Sequence, residues 1–123
     1  KNQDAEIRLS PSRDMGLMIA KVLWYCENMP KVEYVLLPAR FNEYSSRERL
    51  TITLQNTTIR EVLSQIAKAY GIVLLVSGDL NKTIAYATAK DANPSEALYG
   101  CLGSVGMNSR ALANSIYVVE PVR

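Results

Sequence analysis

The stretch ITLQNTTIREVLSQIAKAYGIVLLV, residues 52–76, decides how the chain is read. Its middle has helical spacing. Ile59, Val62, Leu63, Ile66, Ala67 and Tyr70 fall on one face, and Arg60, Glu61, Ser64, Gln65 and Lys68 on the other. Thr58 precedes Glu61 at capping-box spacing, in which each side chain satisfies a backbone N–H at the helix start. Gly71 ends the helix, because glycine adopts the left-handed conformation of a C-terminal cap at least cost. ITLQ before the helix and IVLLV after it have strand character, and the second, apolar throughout, suits a strand covered on both faces.

The same unit recurs in IAYATAKDANPSEALYGCLGSVGMNSRAL, residues 84–112. Aligned on the glycines, Thr58 meets Asn93, Glu61 meets Glu96, Leu63 meets Leu98, Ala67 meets Leu102 and Gly71 meets Gly106. Asn93, Pro94 and Glu96 open a second helix with another capping box. Ala97, Leu98, Cys101, Leu102 and Val105 form its apolar face. Further strands are expected at 83–88, 108–112 and 116–120, the last two joined through Ala113-Asn114-Ser115. From Leu50 the order is strand, helix, strand, strand, helix, strand, strand. Each helix has a stripe to bury against a sheet. The expectation is an α+β fold of two βαβ-like units with the helices packed together.

Residues 1–49 read as an N-terminal extension. Ala5 to Leu9 suggest a short strand. Ser10 as cap, Pro11 at the first helical position and Asp14 in the first turn predict a helix over 11–28. Its apolar residues, Met15, Leu17, Met18, Ile19, Val22, Leu23, Trp24, Tyr25 and Cys26, cover more than one stripe. Such a helix is buried on two sides or serves as an interface. Pro30 ends it, residues 32–37 (VEYVLL) predict a strand, and the charged run ARFNEYSSRER, residues 39–49, separates the extension from a domain over 50–123.

Composition narrows the function. The 123 residues, 48% hydrophobic and 21% charged, are enough for one domain with a real core. A net charge of +2, with both signs interspersed, argues against nucleic acid. No apolar run is long enough to span a bilayer, and the polar opening KNQDAEIRLS is no secretory signal. Histidine is absent, which removes the commonest general base and zinc ligand. The carboxylates do not cluster, and Ser104 and Ser109 have no histidine to activate them. Gly103-Ser104-Val105-Gly106 matches the GXXG loop of KH-type RNA-binding domains. It lies at the tail of a helix before a strand, where glycine is expected as a terminator. No catalytic residue, cofactor or metal site is predicted. Cys26 and Cys101 fit no metal spacing; they are either two buried free thiols or one disulfide permitted by an oxidising compartment.

LTITLQNTTIREVLSQIAKAYGIVLLV, followed by PSEALYGCLGSVGMNSRALANSIYVV, resembles the short N-terminal domain shared by secretins and TonB-dependent receptors. The resemblance is carried by Ile52, Leu54, Val62-Leu63, Ile66-Ala67, Gly71, Glu96-Ala97-Leu98, Gly106 and Ile116-Tyr117-Val118-Val119. It implies two small sheets around two helices, a periplasmic location with association to the outer membrane through other parts, and docking to protein partners of an envelope complex. Residues 1–49 lie outside the pattern, whereas receptors usually begin with this domain. That favours a secretin segment, or a stand-alone envelope subunit similar to small lipoproteins of type IV secretion systems. A receptor signalling domain, or a small ligand-binding protein or enzyme on the same core, is the alternative.

A docking domain works through its surface. The opening strand, Thr51, Ile52, Thr53, Leu54 and Gln55, is short, rich in β-branched residues and entered from a charged loop. It is expected at a sheet edge, where main-chain groups can recruit a partner strand; whether the chain forms a homo-oligomer is left open by the sequence. Trp24 and Tyr25 form the second candidate surface, with core packing of the extension as the competing reading.

Overall fold

The computed structural model describes residues 6–122. The chain divides into two units, residues 1–30 and 31–123. The first contains helix α1 (Glu6–Asn28). The second contains β1 (Tyr34–Leu36), β2 (Leu50–Thr58), α2 (Ile59–Tyr70), β3 (Val73–Val76), β4 (Thr83–Ala92), α3 (Pro94–Leu102), β5 (Met107–Ala113) and β6 (Ile116–Pro121). The fold is α+β, as the sequence predicts.

α2 matches its sequence pattern residue for residue, since the six apolar positions read from the spacing are its buried residues. Thr58 caps it by accepting the Glu61 N–H at 3.2 Å. Only half of the predicted capping box forms, because the Glu61 carboxylate accepts from Gln65 Nε2 at 2.8 Å instead. Gly71 closes the helix in the left-handed region, φ 68. A Cβ there would lie 2.8 Å from the Arg40 carbonyl oxygen and from the Asn42 backbone nitrogen, so glycine is also required for close approach.

α3 opens with the complete box. Asn93 Oδ1 accepts the Glu96 N–H at 2.9 Å, and Glu96 Oε1 accepts the Asn93 N–H at 2.9 Å. Pro94, Ala97, Leu98, Cys101 and Leu102 are its buried residues, while Val105 is half-buried. At Gly103 the α-helix tightens into a 3-10 turn, Gly103–Val105, and Gly106 then takes the left-handed position at φ 73. GSVG therefore terminates a helix and feeds β5.

The strands form two sheets. One has four strands in the order β1-β3-β6-β5, the other pairs β2 with β4. β3 and β6 run parallel (Val73↔Ile116 to Val76↔Val119), and the remaining pairs are antiparallel. Each sequence repeat thus straddles the two sheets. β2 and β4 begin the repeats in one sheet, and β3 and β5 end them in the other, separated by β6. The units are therefore not βαβ crossovers within one sheet. α2, α3 and the inner faces of both sheets share one core, with Val62, Leu63, Ile66, Tyr70, Leu74, Leu98 and Val119 at its centre.

Several boundaries differ from the sequence reading, and β2 itself runs on past Gln55 to Thr58. α1 begins at Glu6, not at Pro11. Residues 6–9, expected as strand, carry the good helix formers Glu, Arg and Leu; Ala5 lies outside the described residues. The strand expected over 32–37 shortens to Tyr34–Leu36. It pairs with β3 (Tyr34↔Val76 to Leu36↔Leu74), so the division falls after Pro30 and not at residue 49. The strand expected to stop at Thr88 runs on to Ala92, because a bulge at Asp91, φ 45, lets Ala92 pair with Leu50 while Ala87, Ala89 and Ala92 all stay buried.

The charged connection 39–49 is tied to the core domain. Asn42 N–H donates to the Gly71 carbonyl at 3.0 Å. Ser45 and Ser115, both buried, share a hydroxyl contact of 2.7 Å, and Ser115 Oγ donates to the Asn42 carbonyl at 2.8 Å. Asn114 Nδ2 reaches the Glu43 carbonyl at 2.8 Å.

Candidate docking edge

β2 is an edge strand. Its inner neighbour is β4, and no strand pairs with its other side among the described residues. Leu50, Ile52 and Leu54 point inward, half-buried against the core. Thr51, Thr53 and Gln55 point outward and are exposed. This alternation follows from the two-residue period of a strand with one covered face.

Several polar contacts hold the edge in place. Thr53 Oγ1 lies 3.3 Å from Thr88 Oγ1 across the pair. Thr51 Oγ1 accepts the Asp91 N–H at 3.1 Å at the bulge. Arg49, just before the strand, donates to the Asp91 carbonyl at 2.6 Å. Its guanidinium also lies 3.4 Å from the Asp91 carboxylate and 3.3 Å from that of Glu96. These groups are about half exposed or more, so each ion pair contributes little alone. Beneath them the Tyr70 hydroxyl donates to the Ala92 carbonyl. Burial pushes that phenol above its ordinary pKa, which keeps it protonated and donating.

The register adds residues to this surface that the sequence did not reveal. Gln55 stands opposite Tyr86, and Thr53 opposite Thr88. Tyr86 is 54% exposed, so the outer face carries an aromatic ring beside the threonines. Tyr86 gave no local signal, because its position on this face depends on which residue of β2 it opposes.

Trp24 and Tyr25 lie on α1, in the other unit. Their rings meet edge to face, with centroids 5.2 Å apart. Trp24 is exposed, as are Leu17, Ile19 and Leu23 on the same helix. Cys26 and Cys101 are both free thiols. Cys101 is buried, and burial raises its pKa, whereas Cys26 is half-buried. The expectation of two buried thiols holds for Cys101 alone.

Among the described residues, no group of three or more His, Cys, Asp or Glu side chains gathers as a metal site, and no helix is long and apolar enough to cross a membrane. No protein-family model, curated protein or solved structure matches the chain.

Proposed function

We propose that this protein is a non-catalytic docking module of a bacterial envelope-spanning machine, such as a secretion or pilus assembly, and that it works in the periplasm by accepting a partner strand on β2. The observation that carries the reading is the open side of β2, a nine-residue strand whose outer main-chain groups have no partner strand among the described residues. Main-chain hydrogen bonds to such an edge supply affinity, and the alternating side chains supply selectivity. The resemblance of residues 50–120 to the secretin and TonB-receptor domain supports the envelope setting.

The test is a photo-cross-linking amino acid placed at Thr53 in cells, with Lys68, exposed on α2, as the control position. A discrete protein adduct from position 53 in the periplasmic fraction, missing from position 68, is the expected result. Equal adducts from both positions, or chain confined to the cytoplasm, would refute the reading.

A further inference from the structure

The edges of this protein are not alike. Natural edge strands are ordinarily blunted by shortness, charge, proline or a bulge, because unpaired N–H and C=O groups template pairing with another chain. β1 is only three residues long. β5 carries Arg110, exposed and 3.7 Å from Glu120. β4 carries Lys90 and the bulged Asp91. β2 has no such protection at its centre. Over LTITLQNTT, residues 50–58, there is no charge and no proline. Its positive-φ residue, Asn56 at φ 50, comes after Gln55 and leaves Thr51 to Gln55 extended.

Resting on the docking reading above, we infer that the strand accepted by β2 is β2 of a second copy of this chain, paired antiparallel about a two-fold axis at Thr53. That axis sets Thr53 opposite Thr53, Thr51 opposite Gln55, and Ile52 opposite Leu54. Polar residues then meet polar residues on the outer face, and apolar residues meet apolar residues on the inner face. A slip of one residue would set threonine against isoleucine or leucine and mismatch both faces. Opposed threonines are a favourable cross-strand pair, and Thr53 already makes one with Thr88. A charge on such an axis would meet its own like charge, and neither Thr53 nor any other residue of β2 carries one. Ile52 and Leu54, half-buried in one chain, gain cover across the seam. The contact is self-complementary and closes as a dimer, with a continuous sheet in the order β4-β2-β2-β4.

Analytical ultracentrifugation of the purified chain over a wide concentration series tests this. The expected result is a reversible dimer whose dissociation constant rises about tenfold or more in Thr53→Lys, which sets like charges across the axis, with the circular dichroism spectrum unchanged. A second arm reads the register in a Cys26→Ser background. Under mild oxidation Thr53→Cys links to its own copy. Thr51→Cys and Gln55→Cys link only when mixed, because directly opposed Cβ atoms lie about 4.5–5.5 Å apart, whereas residue 51 is about 13 Å from its own copy. A chain that stays monomeric, or Thr51→Cys linking to itself as readily as Thr53→Cys, overturns the inference. A monomer whose position 53 still cross-links to a different protein in cells overturns the second copy alone. A monomer with no adduct in cells overturns the docking reading as well.

Discussion

Gly71→Ala separates two roles of one glycine, and the repeat supplies its own control in Gly106→Ala. Both residues sit in the left-handed region, at φ 68 and φ 73. For an L-residue with a Cβ that conformation costs about 1–2 kcal/mol. At Gly106 nothing lies within 4 Å of the added Cβ, so this is the whole penalty. At Gly71 the Cβ meets the Arg40 carbonyl oxygen, the Asn42 Cβ and the Asn42 nitrogen, all at 2.8 Å. Two of these are backbone atoms, and the Asn42 N–H is bonded to the Gly71 carbonyl at 3.0 Å. Relief therefore requires the 39–49 connection to move, which adds about 1–3 kcal/mol, as overpacking does elsewhere. Gly71→Ala should cost about 2–5 kcal/mol in total. Urea unfolding followed by circular dichroism measures both variants. With a slope of about 1.5 kcal/mol/M, the midpoint should fall by about 2 M in Gly71→Ala and by about 1 M in Gly106→Ala. Equal midpoints would refute the argument, because they would mean that the contact with residues 40–42 adds nothing.

Leu63 and Leu98, equivalent and both fully buried, should each cost about 2–5 kcal/mol on truncation to alanine, whereas exposed Arg60→Ala should cost under about 1 kcal/mol, the worth of its stacking on Tyr34; comparing melting temperatures checks this. A colourless disulfide reagent should titrate Cys26 in native protein and Cys101 only after unfolding, since burial raises the Cys101 pKa and shields the thiol. The phenols of Tyr70 and Tyr117 have pKa values raised by burial, so the folded state holds these protons more tightly than the unfolded state. Stability should be fully present below the ordinary tyrosine pKa of about 10 and fall as pH rises beyond it. Tyr70→Phe should flatten that alkaline fall in denaturant titrations, although it loses the hydrogen bond to Ala92.

The parts of the fold that depend on neighbours along the chain were legible. The buried face of α2, both caps and the two terminal glycines follow from spacing and from the chemistry of single residues. The assignment of strands to sheets did not follow, because pairing β3 with β6 depends on residues 43 positions apart, such as Val73 and Ile116. That the connection 39–49 is tied to the core domain was not legible for a related reason. Its order rests on Ser45 meeting Ser115, and neither serine carries a local sign that it is buried. The edge position of Thr51 to Gln55 was readable from the charged run before it. Tyr86 and Thr88 were not, since a cross-strand register is set by the whole pair, and the bulge at Asp91 shifts it.

The place of β6 in its sheet bears on how the chain folds. β6 follows both β3 and β5 in the chain, yet it lies between them. Until β6 is available, Val73-Leu74-Leu75-Val76 can pair with β1 on one side only. Its other side stays open until Ile116 to Val119 dock beside it. For that interval the folding chain displays an uncharged, strongly β-forming segment with an unpaired edge, the kind that chaperones hold and that aggregates when left unheld. The closing strand is thus the step that ends this exposure.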